Sequence, residues 1–183
     1  MRAFTLDSFE SPPRLRDDLP TPSAEPNEVL VGVHASSVNG ADVPIAAGML
    51  KDMVEYEFPV TVGRDFAGVV EDVGSAVSRY QAGDEVFGFV PHADPTVHKG
   101  SWADQIAVGE DATAERPGSV DFETAGAAPL AGISALGAID ALELSEGATV
   151  LVIGAAGGVG SFFVQLAAAV GANVIASGLP EDD

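Results

Sequence analysis

The sequence predicts an α/β plus β fold class, a small bent β-barrel in front and then the opening strand, helix and strand of a doubly wound α/β domain. Three observations predict it. Between residues 1 and 108 short apolar runs recur at close spacing with glycine between them, which suits a small, strongly curved barrel. From residue 120 the chain becomes alanine-rich and helical in character. Residues 149–178 then read as apolar run, glycine-rich turn, apolar helix and second apolar run.

Taken in order, residues 1–7 predict a first strand, and 11–26 a loop punctuated by Pro12, Pro13, Pro20, Pro22 and Pro26. Residues 28–35 alternate, with Val29, Val31 and Val33 on one face, as a half-buried strand requires. Residues 36–40 turn out of it, 42–49 form a short helix and 51–59 a polar and aromatic loop. Strand returns over 61–74, with glycines at its bends, and again over 83–90 and 102–108, with a loop at 91–100 between the last two. Asp121 is placed to N-cap a helical stretch over 120–144, interrupted by Pro129, Gly132 and Gly137. The boundary falls near 117–120, giving domains 1–119 and 120–183.

The run Thr149, Val150, Leu151, Val152 and Ile153 has no alternation, as expected of a parallel strand buried on both faces. The turn after it carries A-x-G-x-x-G from Ala155 to Gly160, a variant of the dinucleotide fingerprint with Ala in place of the first Gly. Gly157 lets the backbone approach a pyrophosphate, and Gly160 lets the helix pack close to the strand. The helix, read from Ser161 to Val170 and capped by Gly171, offers its first N–H groups to the phosphates. Ala155, Ala156, Gly157, Gly158 and Val159 are therefore the cofactor-binding candidates. A Rossmann site for NAD carries an acidic residue about 20 positions beyond the glycines to hold the ribose 2′-hydroxyl. Ser177 and Gly178 stand there instead, which leaves room for a 2′-phosphate and favours NADPH, with Ser177 beside it. Glu181, Asp182 and Asp183 weigh the other way, and no Arg or Lys follows them.

Composition narrows the function classes. The 183 residues hold 28 acidic and 8 basic side chains, a formal net charge of −20, which argues against nucleic acid and anionic membrane surfaces as partners. Such charge fits either a soluble acidic surface or adaptation to high salt. There is no cysteine, so disulfides and thiolate catalysis or ligation are excluded. No basic and apolar leader and no run of membrane-spanning length is read, so the expectation is a cytoplasmic protein. Only seven residues follow Ala176, whereas a dinucleotide fold needs two βαβαβ halves, so the chain reads as the front of a longer enzyme whose nucleotide sheet is left with an open edge.

Six segments in order now carry a resemblance: Ser37-Val38-Asn39-Gly40-Ala41-Asp42, Gly63-Arg64-Asp65-Phe66-Ala67-Gly68-Val69-Val70, Gly83-Asp84-Glu85-Val86-Phe87-Gly88, Gly100-Ser101-Trp102-Ala103-Asp104, the Ala127 to Ala135 stretch AAPLAGISA, and the Ala155 to Gly160 turn. Together they resemble the medium-chain dehydrogenase/reductase superfamily, in its zinc-independent quinone oxidoreductase (zeta-crystallin-like) branch. The resemblance implies a GroES-like β-barrel catalytic domain followed by a Rossmann dinucleotide-binding domain, here incomplete, with the active site in the cleft between them. It implies homodimerisation through the edge of the nucleotide sheet, on strands this chain does not contain.

The zinc-dependent members of that superfamily place Cys where this chain has Asn39, and the His of a G-H-E motif where it has Arg64. His34, His92 and His98 are scattered and read as surface or loop residues, so no metal is expected. Arg64 and Asp65 are expected to pair in the vacated space. By analogy Asn39 lies near the nicotinamide and substrate with Asp42 supporting its geometry, against an Asx turn that merely ends the strand. Ser134 matches a cofactor-adjacent Thr, against a hydroxyl that bonds to its own helix. Where some members carry a catalytic Tyr this chain has Pro44, and neither Tyr56 nor Tyr80 lies on the motif, so the proton donor is unassigned. The function implied is zinc-independent hydride transfer from NADPH to a quinone or α,β-unsaturated carbonyl compound, if the rest of the Rossmann domain is supplied. Two alternatives are a non-catalytic, crystallin-like nucleotide-binding protein and an inactive fragment.

Overall fold

The alternation read in residues 28–35 is realised as β3 of a computed structural model that describes residues 1–53, 55–91 and 100–178. The chain divides into two compact units, Met1–Pro129 and Leu130–Asp183.

In the first unit β1 (Ala3–Leu6) is flanked by β2 (Arg14–Arg16) and β4 (Val60–Thr61) in an antiparallel three-stranded sheet. A five-stranded antiparallel sheet has the order β7-β3-β5-β6-β8, built from β3 (Glu28–Ala35), β5 (Asp65–Val73), β6 (Glu85–Phe89), β7 (Gln105–Gly109) and β8 (Thr113–Glu115). Register shifts at Leu30/Val31 and Val33/Ala35 mark bulges where β3 pairs with β5. The alternating valines do what the pattern requires: Val29, Val31, Phe66, Val70, Val86, Val90, Ile106 and Val108 form one buried cluster. Each such side chain contributes roughly 1.5–3 kcal/mol by leaving water.

The expected barrel is realised as two sheets. Among the described residues they do not close into a single hydrogen-bonded barrel. Phe4 N–H donates to Trp102 O (2.8 Å), Trp102 N–H to Val62 O (2.9 Å) and Val62 N–H to Phe4 O (3.1 Å), so the small sheet is laced to the chain entering β7. Two short strands fall outside the strands expected from sequence. β2 lies in the proline-rich stretch and β8 follows β7 after a 3-10 turn, Glu110–Ala112. Both are edge strands of three residues whose side chains are largely solvated, so no apolar pattern announces them.

Asp121 caps α2 (Phe122–Ala127) as expected, its carboxylate accepting from Thr124 N–H at 2.7 Å. The helical stretch is two helices, with Pro129 opening α3 (Pro129–Ala141), where the missing N–H costs nothing. Gly132 and Gly137 lie inside α3 rather than interrupting it. The boundary expected near 117–120 precedes α2, which packs on β3 and β5 of the first unit.

In the second unit β9 (Thr149–Val152) and β10 (Asn173–Ala176) are parallel, in register from Asn173 opposite Thr149 to Ala176 opposite Val152. Helix α4 (Gly158–Ala169) connects them. It ends in a Schellman arrangement, Ala172 N–H to Ala167 O and Gly171 N–H to Ala168 O, both at 3.0 Å, as the glycine signal implied. Ala135, Ile139, Val152, Phe163 and Ala167 are the unit's buried cluster. The expectation that the 149–153 run is buried on both faces is corrected: Leu151 is 62% and Ile153 82% exposed. The cluster draws α3, α4 and Val152 together on one side only, and the other side of β9 carries these apolar side chains into solvent. Among the described residues no helix is long and apolar enough to cross a membrane.

Candidate functional site

The turn after β3 gathers polar groups that sequence distance keeps apart. Asp42, the first residue of the short helix α1 (Asp42–Ala46), is buried, and its carboxylate accepts from the backbone N–H of Asn39 at 2.6 Å. In return Asp42 N–H donates to Asn39 O at 3.0 Å. The two residues thus hold each other across the turn, whereas an Asx turn would have the Asn39 side chain accept from the backbone two residues on.

The Asn39 side chain is fixed as well. Its Nδ2 donates to Ser37 Oγ (3.0 Å) and to Asp65 Oδ2 (2.9 Å), and Ser37 Oγ donates to the same Asp65 Oδ2 at 2.6 Å. Asp65, at the start of β5, is fully buried. Its carbonyl accepts from Ser36 Oγ at 2.6 Å, and that hydroxyl is 3.0 Å from Ser101 Oγ. Trp102 Nε1 donates to Ser37 O at 2.8 Å and pins the same loop from the other side. The side-chain geometry joins Asp65 to Asn39, a partner 26 positions away whose link no local pattern encodes.

Arg64 is buried, and its carbonyl accepts from Val90 N–H at 2.8 Å. Tyr56 donates its hydroxyl proton to Ile45 O at 3.2 Å, beneath α1, and packs edge-on against Phe9. Burial pushes this hydroxyl up from its ordinary pKa, opposed by the guanidinium of Arg64. Pro44 lies within α1. His34 is exposed and packs its ring 4.5 Å from that of Phe122, while His92, His98, Glu181, Asp182 and Asp183 lie outside the described residues.

In the second unit Ala155 is half-buried and Ala156, Gly157, Gly158 and Val159 are exposed around the start of α4. The helix begins at Gly158, three residues earlier than read, with an extended Gly157 as N-cap and no side chain capping it. Its first-turn N–H groups therefore face the turn without a side-chain acceptor, the arrangement that receives an anion. Gly160 cannot carry a side chain: a Cβ there would lie 2.2 Å from Gly154 O and 2.8 Å from Ala155 Cα. The residues present thus fit a dinucleotide pyrophosphate. Ser177 Oγ accepts from Gly154 N–H at 2.9 Å and ties the end of β10 to the start of the turn, a contact sequence did not foresee. Ser134 Oγ donates to Leu130 O at 2.7 Å, a bond to its own helix, on an exposed face of α3.

The family model of the alcohol dehydrogenase GroES-like domain matches residues 25–119. The chloroplast envelope quinone oxidoreductase homolog of Arabidopsis thaliana is 36% identical over 165 residues, covering 87% of this chain and 49% of that protein. The NADPH-dependent alkenal/one oxidoreductase of the same plant is 36% identical over 167 residues, covering 90% of this chain and 43% of that protein. The solved quinone oxidoreductase of Coxiella burnetii superposes with a TM-score of 0.86 at 31% identity, covering 100% of this chain and 57% of the other. The chain spans about half the length of the curated relatives it matches.

Proposed function

Because the chain belongs to the alcohol dehydrogenase GroES-like family, within the quinone oxidoreductase branch of the medium-chain superfamily, we propose that it serves NADPH-dependent reduction of a quinone or an α,β-unsaturated carbonyl compound without zinc. The observation that carries this reading is the uncapped start of α4 over a turn that admits no side chain at Gly160. Bound there, the reduced nicotinamide cofactor supplies the hydride.

The chain's own residues bind and orient. First-turn N–H groups from Gly158 and Val159 hold the pyrophosphate over Gly157, with Ala155 and Ala156 shaping the turn. Ser177 keeps that turn in place, and its hydroxyl, accepting from Gly154, keeps its proton to donate to the adenosine ribose or its 2′-phosphate. NADPH over NADH is supported by the absence of an acidic side chain at Ser177 and Gly178. Asn39 contacts the reacting end of the cofactor, and Asp42 is its positioning residue. Ser134, on α3, the helix that precedes β9, is proposed as a further cofactor contact by its match to the family position. Independence from zinc is supported by the lack of cysteine and by Asn39 and Arg64 at the positions where zinc-dependent members ligate.

The experiment is to mix the chain with NADPH and either 1,4-benzoquinone or methyl vinyl ketone and follow the loss of reduced-nicotinamide absorbance. Turnover that depends on Asn39 supports the reading. Binding of NADPH without turnover of either compound supports the non-catalytic alternative instead.

A further inference from the structure

Asn39 is followed by Gly40, the pairing in which an asparagine side chain is most open to attack by its own backbone. The attacking atom is the amide nitrogen of the next residue, and a glycine leaves that nitrogen unshielded because it has no Cβ. Among the described residues the Gly40 N–H donates no hydrogen bond. Gly40 is also exposed, with nothing within 4 Å of where a Cβ would stand. The nucleophile is therefore solvated and uncrowded.

The carbon it would attack is held. Asn39 Nδ2 donates to Ser37 Oγ at 3.0 Å and to Asp65 Oδ2 at 2.9 Å. An ionised carboxylate only accepts, and Ser37 gives its own proton to the same Asp65 oxygen, so both contacts require the nitrogen to face inward. Both are lost once Cγ becomes tetrahedral and Nδ2 departs. Oδ1 meets no hydrogen-bond donor among the described residues, so no group stabilises the oxyanion that attack creates. The backbone is tied as well, Asn39 N–H to Asp42 Oδ2 at 2.6 Å and Asp42 N–H to Asn39 O at 3.0 Å.

We propose that Asn39 and Gly40 form a self-modification site, amide to acid through a succinimide, and that the hydrogen bonds from Asn39 to Ser37 and Asp65 hold the reaction in check. The Gly40 nitrogen gives its proton to solvent and bonds to Asn39 Cγ, the Cγ–Nδ2 bond breaks, and the nitrogen leaves as ammonia. Water then opens the ring at either carbonyl to leave aspartate or isoaspartate, and nothing is oxidised or reduced. The product sets a carboxylate where the amide donated, against the fully buried Asp65. Two hydrogen bonds are replaced by like-charge repulsion, so conversion opens the turn between β3 and α1 irreversibly. The inference stands whether or not the second unit binds a nucleotide.

The test incubates the full chain at mildly alkaline pH and follows the mass gain of an amide-to-acid exchange in the peptide that holds Asn39. The folded parent converts about five- to a hundredfold more slowly than the same chain unfolded in urea, the worth of two hydrogen bonds. Ser37→Ala, at a half-buried position and checked for folding by circular dichroism, converts about two- to tenfold faster than the parent. Should it fail to fold, Asp65→Asn takes its place with the same expected direction. Gly40→Ala, which the open space and a φ outside the left-handed region accommodate, loses most of the conversion in the folded and the unfolded chain alike. Asn39→Asp, the product made directly, melts several degrees below the parent. Equal rates in the folded and unfolded parent, or a Ser37→Ala no faster than the parent, would overturn the restraint by Ser37 and Asp65. Conversion undiminished in Gly40→Ala, or none at Asn39 in any folded form, would overturn the modification site. An Asn39→Asp as stable as the parent would overturn the claim that conversion opens the turn.

Discussion

Gly63 lies against the indole of Trp102 with φ +90°, so close that a Cβ there would sit 2.2 Å from Trp102 Cδ1. Trp102 in turn donates from Nε1 to Ser37 O, and Ser37 is one of the two acceptors of Asn39. A backbone requirement at Gly63 is thereby passed to the site through one rigid ring. Gly63→Ala adds a left-handed non-glycine residue and an overpacked contact, which together cost about 2–5 kcal/mol. Urea unfolding measures the loss, and the same variant binds NADPH more weakly because the indole no longer holds Ser37. A variant as stable as the parent would show that Trp102 is not held there.

Ser177 and Gly154 close the phosphate turn at its two ends. Ser177→Ala removes one exposed hydrogen bond and weakens NADPH binding about two- to tenfold while leaving the unfolding midpoint nearly unchanged. The fluorescence titration reads the first effect and thermal unfolding the second. Unchanged affinity would mean that the turn keeps its shape without the hydroxyl.

Asp121 supplies a pH signature. Its hydrogen bonds to Thr124, side chain first and then backbone, hold its carboxyl below the usual aspartate range. A group whose folded pKa is depressed stabilises the fold above its unfolded pKa and ceases to as pH falls through the folded value. Asp121→Ala is therefore less stable than the parent near pH 6, and the difference in melting temperature shrinks as pH drops below about 4. A difference that stays constant down to pH 3 would assign the loss to something other than the ionised cap.

How much of this was legible in the sequence depended on whether a feature is local. The β3 valines, the Asp121 cap and the Gly171 terminus are each written within a few residues, and each is found where the pattern put it. The glycine turn was legible too, although α4 begins at Gly158 because an extended Gly157 already serves as its cap. The edge strands β2 and β8 were not, since a three-residue strand facing water needs no apolar alternation. Among site residues, Asn39 and Asp42 stood on one motif. Asp65 was named as the companion of its neighbour Arg64, because adjacency is visible in a sequence and a contact across 26 residues is not. The Gly154 to Ser177 bond spans 23 residues and was missed for the same reason.

The most direct test of the account is the titration of the full chain with NADPH and, separately, with NADH, following nicotinamide fluorescence. The uncapped α4 turn and the non-acidic Ser177 predict that both bind and that NADPH binds about tenfold more tightly. Equal affinities would contradict the 2′-phosphate argument, and binding of neither would contradict the assignment of the 154–160 turn as a dinucleotide site.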